Sequence, residues 1–263
     1  MLLVDNLERE VVNEMRSFYI TDSGRVRSHN EDSVTIVKNG TDEHLMIVAD
    51  GMGGHRAGEV ASSMVVTHIG SRFSDLSSIG SKLDAVSWLN ENINEINSNI
   101  IKYAEENADS AGMGTTVVMA LLTKEFLMFA NIGDSCGFVL KNNKLHKITK
   151  DHTLVNLLVD SGELSPEEAE DHPKKNVLMR ALGSADKQEL DIFEVVDQNF
   201  DAVLLCSDGL THMLSKDQIE RVLLEEDINV EAKLIKLIKK CNARGGTDNI
   251  SIAYLVKEGG EQD

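Results

Sequence analysis

The chain has 263 residues, of which 44 are aspartate or glutamate and 26 are lysine or arginine, so its formal net charge is −18. A surface this acidic repels nucleic-acid phosphates, so we expect no nucleic-acid partner, although bound cations can still bring phosphate to such a protein. The apolar fraction of 41% is enough for a packed core and argues against a disordered chain.

No leader or membrane span is expected from the sequence. The N-terminal stretch MLLVDNLEREVVNEMR is acidic and lacks the apolar centre of a signal peptide, and no apolar run approaches the roughly 18 residues that a span needs. The three cysteines show no metal-ligand spacing, which points away from zinc sites and disulfides and fits a reducing compartment. We therefore expect a soluble cytoplasmic protein.

Eight short segments rich in Val, Ile and Phe, bounded by Gly, Asn or Asp, are predicted to be strands. Polar breaks at residues 39–43 and 141–143 are typical of hairpins and favour antiparallel pairing. The predicted strands are residues 17–22, 33–39, 44–50, 115–123, 126–134, 136–142, 201–208 and 249–257.

Helical patterns separate these strands. One apolar face begins near Gly58, a longer stripe covers residues 83–103, and a last one covers residues 230–241. Ser165 and Ser215 each precede a Glu or Gln by three residues, as in a capping box at a helix N-terminus. The irregular order of strands and helices predicts an α+β fold, with a central β-sandwich of two antiparallel sheets flanked by helices and a helical insertion.

Nothing in the sequence divides the chain into several domains, because it has only two prolines and no repeat or low-complexity tract. We expect an N-terminal extension over residues 1–16, a single domain over residues 17–257 and a polar C-terminal tail over residues 258–263.

Acidic residues stand where apolar strands begin or end. They are Asp50, Asp134, Asp208 and Asp248, with Glu31 and Asp32 before a further strand. One such acid is usually a turn or cap residue, but several brought together would repel each other unless divalent cations compensate them. Carboxylates and water suit Mg²⁺ or Mn²⁺, and two such ions can activate a water for in-line attack on phosphorus.

Seven stretches, taken in order, resemble the metal-dependent protein phosphatase family (type 2C, PPM) in its bacterial form. They are GRVRSHNEDS (24–33), VADGMGGHRAGEVAS (48–62), GMGTTVV (112–118), ANIGDS (130–135), TKDHTLVNLLVDSGELSPEEAEDHPKKNVLMRALG (149–183), LLCSDGL (204–210) and GGTDNISIA (245–253). The resemblance covers about residues 17–257. It implies a serine/threonine phosphatase in which a water bridging two Mn²⁺ or Mg²⁺ ions attacks phosphoserine or phosphothreonine directly.

The resemblance also implies a role for each acid. Asp50 would bridge the two metals, and the carbonyl group of Gly51 would bind one of them. Asp208 and Asp248 would complete the direct ligands, and Glu31 and Asp32 would act through waters. Asp134 resembles the ligand of a third, weaker metal ion.

Arg27 resembles the arginine that grips the substrate phosphate, since its planar fork can contact two phosphoryl oxygens. His55 is the candidate general acid, because it lies in a glycine-rich turn beside Asp50. In eukaryotic members the candidate acid directly follows the bridging Asp-Gly, where this chain has Met52, so a structural role for His55 stays open. Cys136 stands where many members have arginine.

Residues 151–183 resemble a mobile flap beside the active site, which suits a lid that selects substrates. Within it, His152 and His172 are interpreted as packing or cap residues. Arg180 either faces the site or forms a structural salt bridge.

Two alternatives stay open at this point. One is a catalytically impaired, phosphatase-like binding module, which would lack several of the metal acids. The other is a phosphatase dedicated to one regulator of the anti-sigma-antagonist type. The expected partners are phosphorylated proteins, including a cognate serine/threonine kinase on family grounds, and the acidic chain is expected to be a monomer.

Overall fold

The structure, a computed structural model, describes residues 15–54, 56–185 and 187–257. The strands are β1 Met15–Asp22, β2 Asp32–Lys38, β3 His44–Met52, β4 Gly114–Thr115, β5 Val117–Leu122, β6 Leu127–Ile132, β7 Cys136–Lys141, β8 Lys144–Lys147, β9 Asp191–Val195, β10 Ala202–Cys206 and β11 Ile250–Lys257. The helices are α1 Ala57–Ser74, α2 Lys82–Glu106, α3 Leu154–Asp160, α4 Pro166–Glu170, α5 Asp208–Met213, α6 Lys216–Leu223 and α7 Val230–Ala243.

The strands form two antiparallel sheets. The first sheet has the order β1-β11-β10-β7-β8, and the second has the order β2-β3-β5-β6-β9, with β4 paired to β3. The hairpin predicted at residues 39–43 is confirmed, since β2 pairs with β3. The polar break at residues 141–143 is also a hairpin turn, but it joins β7 to β8, a strand that the sequence patterns did not predict. Asn142 and Asn143 join β7 to β8 with φ of 51° and 60°, the left-handed conformation that a two-residue hairpin turn requires.

Strand β3 shows how the sandwich is built, because its side chains are buried on both faces. Leu45, Ile47 and Ala49 belong to a cluster shared with α1 and α2. Met46 and Val48 alternate with them and pack against the first sheet. The cluster between the sheets, hereafter the central layer, consists of Met46, Val48, Val118, Ala120, Leu127, Phe129, Val139, Phe200, Val203, Leu205, Ala253 and Leu255.

Helices cover both outer faces of the sandwich. Helices α5, α6 and α7 pack on the first sheet through a cluster that includes Leu210, Ile219 and Leu237, while α1 and α2 cover the second sheet. The predicted α+β sandwich is therefore confirmed. Across the described ranges, none of the helices combines the length and the apolar character needed to cross a membrane.

The predicted capping boxes are also confirmed, since Ser165 begins α4 and Ser215 begins α6 in that geometry. The prediction for Asp208 was wrong at the level of secondary structure. The apolar run predicts a strand to residue 208, but β10 ends at Cys206 and Asp208 is the first residue of α5. Ser207 separates the two elements in an extended conformation.

Strands β8 and β9 were missed by the sequence patterns. Both lie at the edges of their sheets, and Leu145 is the one buried residue of β8. An edge strand that buries so little carries almost no apolar alternation from which it could be predicted.

Candidate active site

A cleft of about 510 Å³ opens at one end of the sandwich, where β3 ends, β11 begins and β10 gives way to α5. Its lining includes the predicted site residues Arg27, Glu31, Asp50, Gly51, Asp134, Asp208 and Asp248. Asp32 lies directly opposite Asp50 in the β2–β3 pairing and is 7% exposed. The structure thus brings the predicted acids of both sheets to one place. His55, the predicted general acid, lies outside the described residues.

Burial dominates the electrostatics of these acids. Burial, with repulsion from Asp32 and Asp208, raises the pKa of Asp50 well above its usual range. Burial also raises the pKa of Asp32 and the pKa of Asp134 to about 7 each. The pKa of Asp208 is raised by burial as well. Buried carboxyls that repel each other can all ionise near neutral pH only if cations compensate their charge.

Several oxygen atoms of the site have no hydrogen-bond partner within the described part of the chain. They are Oε1 of Glu31, Oδ1 of Asp32 and Oδ1 of Asp208. Buried polar atoms are nearly always paired in folded proteins, so unpaired carboxylate oxygens grouped at one cleft indicate a missing cationic ligand. These residues therefore fit divalent metal ions.

The glycines of the site allow backbone to pack on backbone. A Cβ on Gly51 would overlap the carbonyl oxygen of Gly58 and lie 2.5 Å from the carbonyl oxygen of Glu31. A Cβ on Gly58 would lie 2.7 Å from Oε1 of Glu31. This close approach explains why the chain follows Asp50 with glycine, and it leaves the peptide of Gly51 unobstructed at the cleft.

Asn249 is a site residue that the sequence reasoning missed. Its Oδ1 accepts the backbone N–H of Glu31 at 2.8 Å, and its Nδ2 donates to the carbonyl oxygens of Ser23 and His29. It therefore fixes the loop that carries Arg27 against the start of β11. The sequence offered one signal for its role, which is its position directly after Asp248, a predicted metal ligand.

Arg27 is held at the cleft by an ion pair, with its Nη2 2.9 Å from Oδ2 of Asp248. Its side chain is 49% exposed, so the guanidinium group can reach an incoming phosphate.

His212 also lines the cleft and was not predicted. Its Nδ1 lies 3.4 Å from Oδ2 of Asp208, one turn earlier on α5. Prediction of α5 would have revealed this i, i+4 relationship.

Cys136 is buried beside the base of the flap. Its Sγ lies 3.4 Å from the carbonyl oxygen of Asp134 and 3.7 Å from Oδ1 of Asp151. Lys147 supplies a cation here from β8, because its Nζ contacts both carboxylate oxygens of Asp151 at 2.6 and 2.7 Å. Within the described ranges the cysteines Cys136, Cys206 and Cys241 are free thiols, as the sequence predicted.

Across the described ranges, no three His, Cys, Asp or Glu side chains already stand in the geometry of a completed metal site. The donor set itself is hard and consists of oxygen atoms, which is the chemistry that Mn²⁺ and Mg²⁺ prefer.

Two antiparallel sheets lie between helices, and the buried and half-buried carboxyls of the cleft at one end define a site for divalent metal ions. The sequence profile of protein phosphatase 2C matches residues 23–245. The chain is 43% identical to the serine/threonine phosphatase Stp of Listeria welshimeri over 241 residues, which are 92% of this chain and 95% of that protein.

Solved structures agree with this match. The serine/threonine phosphatase Stp1 from Staphylococcus aureus aligns with a TM-score of 0.86 at 36% identity, over 94% of this chain and 96% of that one. The catalytic domain of the serine/threonine protein phosphatase PstP, in complex with two manganese ions, aligns with a TM-score of 0.76 at 36% identity, over 92% of this chain and 97% of that one.

The chain belongs to the protein phosphatase 2C family. It is therefore a protein serine/threonine phosphatase that depends on Mn²⁺ or Mg²⁺, and phosphorylated proteins are its substrates. Neither the impaired binding module nor the dedicated regulator phosphatase is favoured by these relatives.

Proposed function

We propose that the cleft hydrolyses phosphoserine and phosphothreonine by direct, in-line attack of water on phosphorus, without a phospho-enzyme. The observation that carries this proposal is the convergence of buried carboxyls with unpaired oxygens, contributed by both sheets, on one cleft. Two divalent ions bound there would activate the attacking water and offset the negative charge that develops on the phosphoryl oxygens.

Asp50 is the residue we assign to both ions. Repulsion from Asp32, Asp208, Asp134 and Asp248 contributes to its raised pKa, so its carboxylate is close enough to each of them to share a cation. The other proposed ligands are the carbonyl oxygen of Gly51, the carboxylates of Asp208 and Asp248, Glu31 and Asp32 through waters, and Asp134 for a third, weaker ion.

Arg27 is proposed to bind the substrate phosphoryl group. Its ion pair with Asp248 ties the guanidinium group to a proposed metal ligand, so the phosphate would be held beside the ions. A planar guanidinium fork can donate to two phosphoryl oxygens at once, which orients the phosphorus for attack from the opposite side.

His55 is proposed as the general acid that protonates the departing serine or threonine oxygen. The test is a series of aryl phosphates with leaving groups of rising pKa, assayed with His55→Ala. A general acid matters most for poor leaving groups, so activity on those should fall most. His212→Asn is the matched control, because it removes a histidine that lines the cleft. Uniform loss over the series for His55→Ala would contradict the role.

The flap, residues 151–183, is proposed as the part of the single domain (residues 17–257) that contacts the protein substrate. Asn176 and Leu178 line the cleft, while Val177 between them is 42% exposed and Met179 after them is 48% exposed. This alternation places an exposed apolar edge directly beside the phosphate-binding cleft. Substrate residues that flank the phosphorylated side chain would pack there.

The wider setting is also a proposal. The net charge of −18 supports a monomer that does not bind nucleic acid, since such a surface repels other acidic molecules. We propose a cytoplasmic location, and a serine/threonine kinase whose products this phosphatase hydrolyses as its functional counterpart.

The proposed metal ligands are tested with Asp50→Ala and Asp208→Ala, assayed on p-nitrophenyl phosphate with Mn²⁺. Both variants should lose Mn²⁺-dependent hydrolysis, and titration calorimetry should show weaker Mn²⁺ binding. Asp227→Ala is the matched control, since it removes an exposed acid between α6 and α7. Full activity of either site variant would contradict the assignment.

A further inference from the structure

We propose that His152 is a positioning residue that couples the flap to the turn carrying Asp134. This turn, hereafter the Asp134 turn, consists of residues 133–135 between β6 and β7. The inference rests on the proposed role of Asp134 as a metal ligand. It replaces the interpretation of His152 as a simple packing residue.

Hydrogen bonds in both directions fasten His152 to Gly133 in the Asp134 turn. The backbone N–H of His152 donates to the carbonyl oxygen of Gly133 at 2.9 Å, and the N–H of Gly133 donates to Nδ1 of His152 at 3.0 Å. Asn131 reinforces the junction by donating to the carbonyl oxygens of Gly133 and Lys150. The base of the flap and the Asp134 turn are therefore held in one geometry.

The same contacts determine which nitrogen of the His152 imidazole ring carries the proton. Because Nδ1 accepts from Gly133, the proton of the neutral ring lies on Nε2, which donates to Oδ2 of Asp191 at 3.0 Å. The other oxygen of Asp191 accepts from Nη1 of Arg180 at 2.8 Å. Burial lowers the pKa of His152, in agreement with a neutral ring.

His152 also joins the two ends of the flap. Its carbonyl oxygen accepts the N–H of Met179 at 2.8 Å, and the neighbouring Thr153 forms a β-bridge with Leu178. Arg180 reaches the same ring through Asp191, and its Nη1 also lies 3.1 Å from Nε2 of His152, so the guanidinium group and the protonated Nε2 share the Asp191 carboxylate. Since Leu178 lines the cleft, a substrate that displaces this segment would alter the hydrogen bonds of His152 and, through them, the position of Asp134.

The test compares substitutions of His152 that each remove a different hydrogen bond of its imidazole ring. His152→Asn keeps an acceptor where Nδ1 stands and loses the Nε2 arm to Asp191. His152→Gln keeps a polar group near Nε2 and loses the acceptor for Gly133. His146→Ala is the matched control, because this histidine is exposed on the edge strand β8, outside the flap and the cleft lining.

Two readouts distinguish loss of the hydrogen bond from Gly133 to Nδ1 from loss of the hydrogen bond between Nε2 and Asp191. His152→Gln should raise the Mn²⁺ concentration for half-maximal hydrolysis of p-nitrophenyl phosphate by about three- to tenfold, the factor expected from loss of one buried hydrogen bond. His152→Asn should leave that concentration near the wild-type value and raise KM for a phosphothreonine peptide by a similar factor, with kcat little changed. His146→Ala should change neither readout.

Asp134→Ala distinguishes failure of the inference from failure of the metal assignment. If Asp134→Ala shifts the Mn²⁺ dependence and His152→Gln, folded by circular dichroism, does not, the coupling is wrong and the assignment stands. If Asp134→Ala leaves the Mn²⁺ dependence unchanged, Asp134 is not a ligand and the coupling is overturned with it. Equal KM values for His152→Asn and wild type overturn the link between the flap ends.

Discussion

The hydroxyl group of Ser207 donates a 2.7 Å hydrogen bond to Oδ2 of Asp32, a residue 175 positions earlier in the chain. The same hydroxyl oxygen accepts the backbone N–H of Ser251 at 2.9 Å. Ser207 thus connects the second sheet, through Asp32, to the first sheet, through β11, immediately before the proposed ligand Asp208. Ser207 therefore connects the two sheets and also holds the carboxylate of Asp32 at the site.

Replacement of Ser207 by Ala should lower the free energy of unfolding by about 1–3 kcal/mol, because a buried carboxylate oxygen and a buried N–H each lose their partner. Urea denaturation of the metal-free proteins measures this. Ser98→Ala, which removes a hydroxyl on the exposed side of α2, is the control and should stay within about 0.5 kcal/mol of wild type. Equal losses of unfolding free energy in the two variants would show that the hydrogen bonds of Ser207 contribute no more to stability than those of an exposed serine.

Manganese should stabilise the folded protein through the cleft. At a free Mn²⁺ concentration about 100 times the dissociation constant, linkage predicts a gain of about 2.7 kcal/mol per site. Asp50→Asn should lose most of this gain. Without metal, the same variant should be at least as stable as wild type, because it removes a buried carboxyl that its neighbours repel. A less stable metal-free variant that keeps the full Mn²⁺ gain would contradict this.

In the metal-free protein, the stabilising contribution of Asp32 should decline as pH rises from about 4 through 7. Burial raises its pKa to about 7 in the folded state, above the ordinary value near 4, so the folded protein binds more protons over that interval. The contribution is full below the unfolded-state pKa and is lost as pH passes the folded-state pKa.

Denaturation in EDTA at several pH values, for wild type and Asp32→Asn, measures this decline. Buried histidines with lowered pKa, such as His44, add a slope of opposite sign below about pH 6.5. Both proteins share that slope, so it cancels in the difference, which reports Asp32 together with its effect on the pKa of Asp50. The unfolding free energy of wild type minus that of Asp32→Asn should fall as pH rises from about 4 to 7, and a rise would refute the prediction.

Gly51→Ala should abolish Mn²⁺-dependent hydrolysis, because the new methyl group would overlap the backbone of Gly58 and Glu31 and displace the proposed carbonyl ligand. Gly54→Ala is a matched control three residues later in the chain, since a Cβ there meets no atom of the described structure within 4 Å. Activity assays at saturating Mn²⁺ compare the two. Similar activity for both variants would show that the tight packing at Gly51 is not needed.

Local chemistry was enough to predict much of the fold. Alternation and turn residues predicted the central strands and both hairpin turns, and Ser165 and Ser215 marked helix starts through side chains that act within one turn. Edge strands β8 and β9 were not predicted, because they bury few side chains and so show little apolar alternation. Helix α5 escaped because Ser207 uses its hydroxyl for distant partners instead of capping the helix.

The site was predictable only in part. The acids stood out because each interrupts an apolar run, and the family resemblance gave them roles. The contacts of Asn249 and His152 could not be read from the sequence, since each depends on partners brought close only by the packed sheets. A polar residue whose partners lie about 200 positions away, as for Asn249 and Glu31, leaves no periodic signal.

The acids of the cleft belong to different sheets, since Asp50 ends a strand of the second sheet and Asp248 precedes a strand of the first. Their separation is therefore set by how closely the sheets stack. The apolar side chains of the central layer, such as Phe129 and Leu205, act as spacers for the metal centre although they contact no substrate. Substitutions that change the volume of the central layer are therefore expected to change the affinity of the cleft for metal ions.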